Sequence, residues 1–133
     1  MIPAKASVAA NTPLIPLLAR RPVVVRFPFS TDFQDRKGSI KPVDWIAVDL
    51  DFLSRYGVAF RGDWKQLRNS KRWIETNRAN YSVQALSDGV VVMQRNANRE
   101  ANREAGRNLK LENALNEILA TPLPDDPKRR SKP

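Results

Sequence analysis

The chain has no cysteine and no histidine among its 133 residues. The first absence excludes disulfides and thiolate chemistry. The second removes the usual proton shuttle near neutral pH and the commonest metal ligand. A zinc site would then rest on carboxylates alone, a poor donor set for zinc. No metal or cofactor is therefore expected, and the chain does not read as an enzyme. No apolar run approaches the length that crosses a bilayer, so no membrane partner is expected. The stretch Leu14–Ala19 is short and broken by Pro16, unlike a secretory signal. Acidic residues are missing from the first 31 positions, a composition shared with organelle transit segments, although the prolines there favour a retained basic arm.

Proline is missing from the middle rather than from the whole. Of its 10 copies only Pro42 lies between Pro28 and Pro122. A residue that fixes φ and lacks an amide donor suits extended ends. Residues 1–21 accordingly read as a basic flexible arm, 22–119 as one α+β domain, and 120–133 as a disordered tail.

The net charge is +9, unevenly spread. Residues 1–31 hold four basic side chains and no acidic one, and residues 64–111 hold ten against four. Such an excess favours a polyanionic partner, because each neutralised phosphate releases counterions. The expectation is a small nucleic-acid-binding protein, DNA or RNA, in the cytoplasm or elsewhere within the cell, with an organelle or a virion left open.

Local patterning gives the expected elements. Residues 22–29, PVVVRFPF, are β-branched and aromatic and read as an edge strand limited by Pro28. Residues 30–42 read as loop. Residues 44–56 suit a helix stopped by Gly57, although 46–50 also suit a strand. Asp63 suits the N-cap of a short helix, and Asn69-Ser70 break it and open another. Tyr81–Leu86 and Val90–Gln94 flank Asp88-Gly89 and read as a hairpin. From Asn96 to Leu119 the pattern is helical.

The order helix, break, helix, hairpin over 44–94 resembles a winged-helix module. More faintly, it is similar to the small excisionase-type DNA-binding proteins of mobile elements. The fold expected is thus α+β: a winged-helix-like domain of three short helices plus a β-hairpin, then a long C-terminal helix, with Pro-rich extended arms at both ends. In such modules the third helix enters the major groove and the wing meets the backbone. The resemblance implies Lys65 and Arg68 at phosphates and Lys71, Arg72, Asn77 and Arg78 on or near a recognition helix. Trp64, Leu67 and Ile74 would be core, as would Trp73 if it faces inward.

Arg95, Arg99, Arg103 and Arg107 recur every four residues in RNANREANREAGRN. On a helix each step advances about 6 Å and turns about 40°, so the arginines wind slowly along one stripe. Glu100 and Glu104 can pair with Arg103 and Arg107, so a solvated helix face explains the repeat as well as a nucleic-acid ladder does. The stripe Leu111, Leu115, Ile118, Leu119 would dock on the protein's own core, with a homo-oligomer or larger assembly as the alternative. A second functional reading is a structural component of a virion or large ribonucleoprotein, threading its basic arms between neighbours. A third is a Mg²⁺-dependent enzyme using Asp49 and Asp51, but no third carboxylate stands at recognisable spacing.

Overall fold

Short apolar stretches, too brief for helices, nucleate a mixed sheet in the computed structural model, which describes residues 2–18, 20–96 and 109–127. Strand β1 (Val8–Ala10) turns through a 3-10 segment (Thr12–Leu14) into α1 (Ile15–Leu18). Then come β2 (Val24–Arg26), β3 (Asp32–Gln34), β4 (Ile40–Pro42) and β5 (Trp45–Asp49). Helices α2 (Leu50–Gly57) and α3 (Arg61–Thr76) follow, then β6 (Tyr81–Ser87), β7 (Val90–Arg95) and α4 (Leu109–Ala120).

Five strands form one sheet in the order β2-β1-β5-β7-β6, and β3-β4 is a separate hairpin. β1 runs parallel to both β2 and β5, whereas β7 is antiparallel to β5 and β6. β1 and most of β5 are buried on both faces. A strand covered on both sides carries no apolar alternation. That is why 44–56 suited a helix: the chain splits there into β5 and α2, and Gly57 is the last residue inside α2, with Val58 as its C-cap, rather than a stop beyond it. Asp49 makes the switch by accepting the Phe52 N–H at 2.9 Å as N-cap.

The α+β class holds, but the winged-helix arrangement does not form. Asn69-Ser70 do not break the chain; α3 runs unbroken across them. Ser70 lies on one face with Leu67 and Ile74, all three buried, so packing overrides the local tendency to break. Asp63 falls in the first turn of α3, and its expected cap position is taken by Phe60. The hairpin does form, with Asp88 at φ 52° and Gly89 at φ 80°, as a two-residue turn of this twist requires. β2 is an edge strand, as Pro28 suggested, but residues 30–42 hold the β3-β4 hairpin rather than loop alone.

Residues 2–18 are not an extended arm. β1 lies inside the sheet, and Val8, Ala9 and Ala10 are fully buried. Arg21 fastens the start by donating to the carbonyls of Ile2 and Pro3. Two apolar layers result. One face of the sheet packs Ile46, Val48, Val83, Val91 and Met93 against Leu50 and Leu53 of α2, Leu67 and Ile74 of α3 and Leu115 of α4. The other packs Val8, Ala10, Trp45 and Ala47 under Leu14, Ile15 and Leu18. Near the C-terminus, Trp64 donates its indole N–H to Pro124 and Arg61 pairs with Asp126, so residues 124–126 are held against α3 rather than forming a free tail.

Candidate functional site

The expected nucleic-acid residues divide: Lys65, Arg68 and Arg72 follow one face of α3 at helical spacing, whereas Lys71, Asn77, Arg78 and Arg95 are engaged elsewhere. Lys65 and Arg72 are exposed on α3, while Arg68 lies over the Trp64 ring at 5.2 Å. Lys71 donates to the Thr121 carbonyl at 2.7 Å, and Arg78 donates to Asn116 at 2.6 Å; both tie α3 to the region of α4. Burial lowers the Lys71 ammonium below the usual lysine value, partly offset by Glu75. Asn77 closes α3, its carboxamide donating to Trp73 O at 2.9 Å. Trp73 is core, as the better expectation had it: its ring meets Phe27 at 5.2 Å and Tyr81 at 5.0 Å, both edge-on. Arg95 ends β7 and pairs with Asp44 at 3.1 Å. Arg99, Arg103 and Arg107 lie outside the described residues, as does the first half of the expected helix from Asn96.

The two aspartates offered for Mg²⁺ serve α2 instead. Asp49 caps it, and Asp51 pairs with Arg55 at 3.0 Å one turn on. Among the described residues no group of three acidic side chains stands where it could hold a metal ion. The leucine stripe of α4 packs inward: Leu115 is fully buried, and Leu111, Ile118 and Leu119 lie against the same core. That accounts for the stripe without a second copy of the chain.

Patterning missed a ridge at the junction of α2 and α3. Phe52, Tyr56 and Phe60 follow one another at four-residue spacing; the first two rings meet tilted at 42° with centroids 4.6 Å apart, and the last two stack at 29° with centroids 6.4 Å apart. Phe52 is partly buried against the core, and exposure grows outward to 45% at Tyr56 and 58% at Phe60, with Val58 beside them at 43%. The Phe60 amide donates back to Tyr56 O at 2.8 Å, holding the turn that carries the outermost ring. Gly57 lets the helices meet, since a Cβ there would stand 3.3 Å from the Trp64 backbone. Arg55, Arg61 and Lys65 flank the ridge in sequence. Of these, Arg55 pairs with Asp51 and Arg61 with Asp126, and Lys65 is exposed. The helical spacing of 52, 56 and 60 was the available signal; its outward orientation was not.

A family model described as "Predicted membrane protein (DUF2079)" matches residues 1–92, from before β1 into β7. No curated protein and no solved structure matches the chain. The match overturns the nucleic-acid function, the DNA or RNA partner, the intracellular location and the expectation of no membrane. The physical reason for the error is that a charge of +9 registers an anionic partner without distinguishing nucleic-acid phosphates from lipid headgroups. No helix among the described residues is long and apolar enough to cross a membrane. With more than two thirds of its length matched, the chain belongs to the DUF2079 family of predicted membrane proteins.

Proposed function

We propose that this chain is a domain of a membrane protein that lies against the bilayer surface, with the Phe52–Tyr56–Phe60 ridge at the interface and basic side chains toward anionic headgroups. The observation that carries the reading is the aromatic series that rises from Phe52 at the core to exposed Tyr56 and Phe60, in a chain of a membrane-protein family. Tyrosine and other amphipathic rings favour the headgroup level, where one end is apolar and the other wet. Each Lys or Arg near an anionic surface adds about 1 kcal/mol. Lys65 is exposed near the ridge in sequence, whereas Arg55 and Arg61 are paired with Asp51 and Asp126, and the chain's net +9 favours an anionic surface within a Debye length, ~8–10 Å. In this reading the domain binds and positions, and does not turn over a substrate.

The test is co-sedimentation of the pure chain with vesicles of phosphatidylcholine alone and of phosphatidylcholine mixed with phosphatidylglycerol. Binding to the anionic vesicles, weakened by salt and by Tyr56→Ser with Phe60→Ser, is the expected result. Equal recovery in the supernatant with both vesicle types would sink the reading, as would undiminished binding by the double variant. Both substituted side chains are largely exposed, so the variant is expected to fold.

A further inference from the structure

At the end of the sheet where β6 begins and β7 finishes, a cleft of about 250 Å³ opens between the β3-β4 hairpin and the C-terminal end of α3. Asp32, Pro42, Trp73, Asn77, Tyr81 and Arg95 are among its lining residues. None belongs to the aromatic ridge. Its volume is below the few hundred Å³ usual for drug-sized ligands, which limits an occupant to about one ring.

Some of the polar groups here are already engaged. The Tyr81 hydroxyl donates to Val43 O at 2.7 Å. Asn96, also lining the cleft, accepts from Ser82 and donates to Ala79 O. Others are not. Asn77 uses an N–H on Trp73 O, and its carboxamide oxygen has no protein partner among the described residues. The Asp32 carboxylate and the Trp73 indole N–H likewise have none there. Arg95 gives one nitrogen to Asp44, while its Nε is buried with no hydrogen-bond partner. That Nε has no accessible surface and is out of reach of anything in the cleft, so the donor that Arg95 can offer there is Nη1, which has no protein partner among the described residues.

The unused set mixes acceptors, Asp32 and Asn77 oxygen, with donors, Arg95 and the Trp73 N–H. Hydroxyl groups both donate and accept, and so match such a set on one small molecule. The Asp44 carboxylate already neutralises Arg95, and Asp32 adds negative charge, which disfavours phosphates and carboxylates. Pro42, Trp73 and Tyr81 supply apolar surface for ring C–H groups. From this arrangement we infer that the cleft binds a neutral polyhydroxylated ring, a single hexopyranose unit.

The experiment follows the Trp73 indole N–H by NMR in the full chain, assigned with Trp73→Phe, while glucose, galactose and mannose are added separately at millimolar concentration. Saturable shifts at Trp73 with at least one hexose, weakened about tenfold or more in Asp32→Ala, are expected. Asp32 is exposed, so this variant is expected to keep its fold, which the unchanged remainder of its spectrum checks. Three results overturn the assignment: no saturable shift with any hexose, a Trp73 shift with glycine or inorganic phosphate in place of the sugars, or hexose binding untouched by Asp32→Ala. Vesicle binding plays no part in the readout, so the surface-domain proposal and this one stand or fall separately.

Discussion

Asn11 holds Asp49 by both ends of its carboxamide: its oxygen accepts the Asp49 N–H at 2.9 Å, and its nitrogen donates to the Asp49 carbonyl at 3.1 Å. The pair continues the β1-β5 ladder beyond Ala10↔Ala47, with a side chain in place of backbone. Asn11 is 1% exposed, so water cannot replace either bond.

Asn11→Leu should therefore destabilise the fold by about 1–3 kcal/mol, because it leaves both Asp49 backbone groups without their partner. Asn11→Asp should be no better, since a carboxylate can accept from the Asp49 N–H but cannot donate to its carbonyl. Urea melts of the three proteins check this. An Asn11→Asp variant as stable as the parent would show that the donated bond contributes little.

Tyr81 gives stability an alkaline limit. Burial is the main cause that pushes its phenol up from 10.0 to about 12; Arg95 opposes the shift, and the Asp32 and Asp44 carboxylates add to it. The native state keeps this proton to higher pH than the unfolded chain does. The contribution of Tyr81 is whole below about pH 10 and is lost as pH rises toward about 12. Tyr81→Phe should remove that part of the alkaline decline while costing about 1–3 kcal/mol at neutral pH, because the Val43 carbonyl loses its donor. Denaturant midpoints for both proteins across this range measure it.

The parts of the fold that rest on local chemistry were legible in the sequence: the Asp88-Gly89 hairpin, the end of α2 to within a residue or so, and the edge position of β2. The parts that rest on long-range burial were not. Trp45–Asp49 shows no alternation because both its faces are covered, so its periodicity could not separate strand from helix. Ser70 looks like a breaker until Leu67 and Ile74 are seen to carry it inward. The prolines flanking β1 disguised an interior strand as an arm, since three small or β-branched residues are too few to register a pattern. For the ridge, the spacing of Phe52, Tyr56 and Phe60 was visible, and which side faced the core was not. The cleft joins side chains from Asp32 to Arg95, distant in sequence, and leaves no local signal.

The C-terminal helix is part of the core. Leu115 is fully buried within the main cluster, and Arg78–Asn116 and Lys71–Thr121 bond α3 to residues that follow it. Leu115→Ala should cost about 2–5 kcal/mol, the range for a buried leucine that leaves a cavity. An oligomerisation surface would behave differently: the cost would depend on protein concentration. Thermal melts over a wide concentration range separate the two, and a midpoint independent of concentration is expected.

Gly89 and Gly62 make a matched pair with opposite expected signs. Gly89 sits at φ 80°, its carbonyl accepts the Leu50 N–H at 2.9 Å, and a Cβ there would fall 2.4 Å from the Asp51 Cβ. The tip of the β6-β7 hairpin is thus pressed against the start of α2, and neither side is free to withdraw without breaking the Leu50 bond. Gly89→Ala meets both an unfavourable backbone region and a steric overlap, so a loss of about 1–3 kcal/mol or more is expected. Gly62 lies in the first turn of α3, with nothing within 4 Å of where its Cβ would be. Gly62→Ala restricts the unfolded chain and meets no contact in the native one, so a gain of about 0.4–1 kcal/mol is expected. Urea denaturation of both variants measures the two changes. Equal small effects would mean that the tip yields freely.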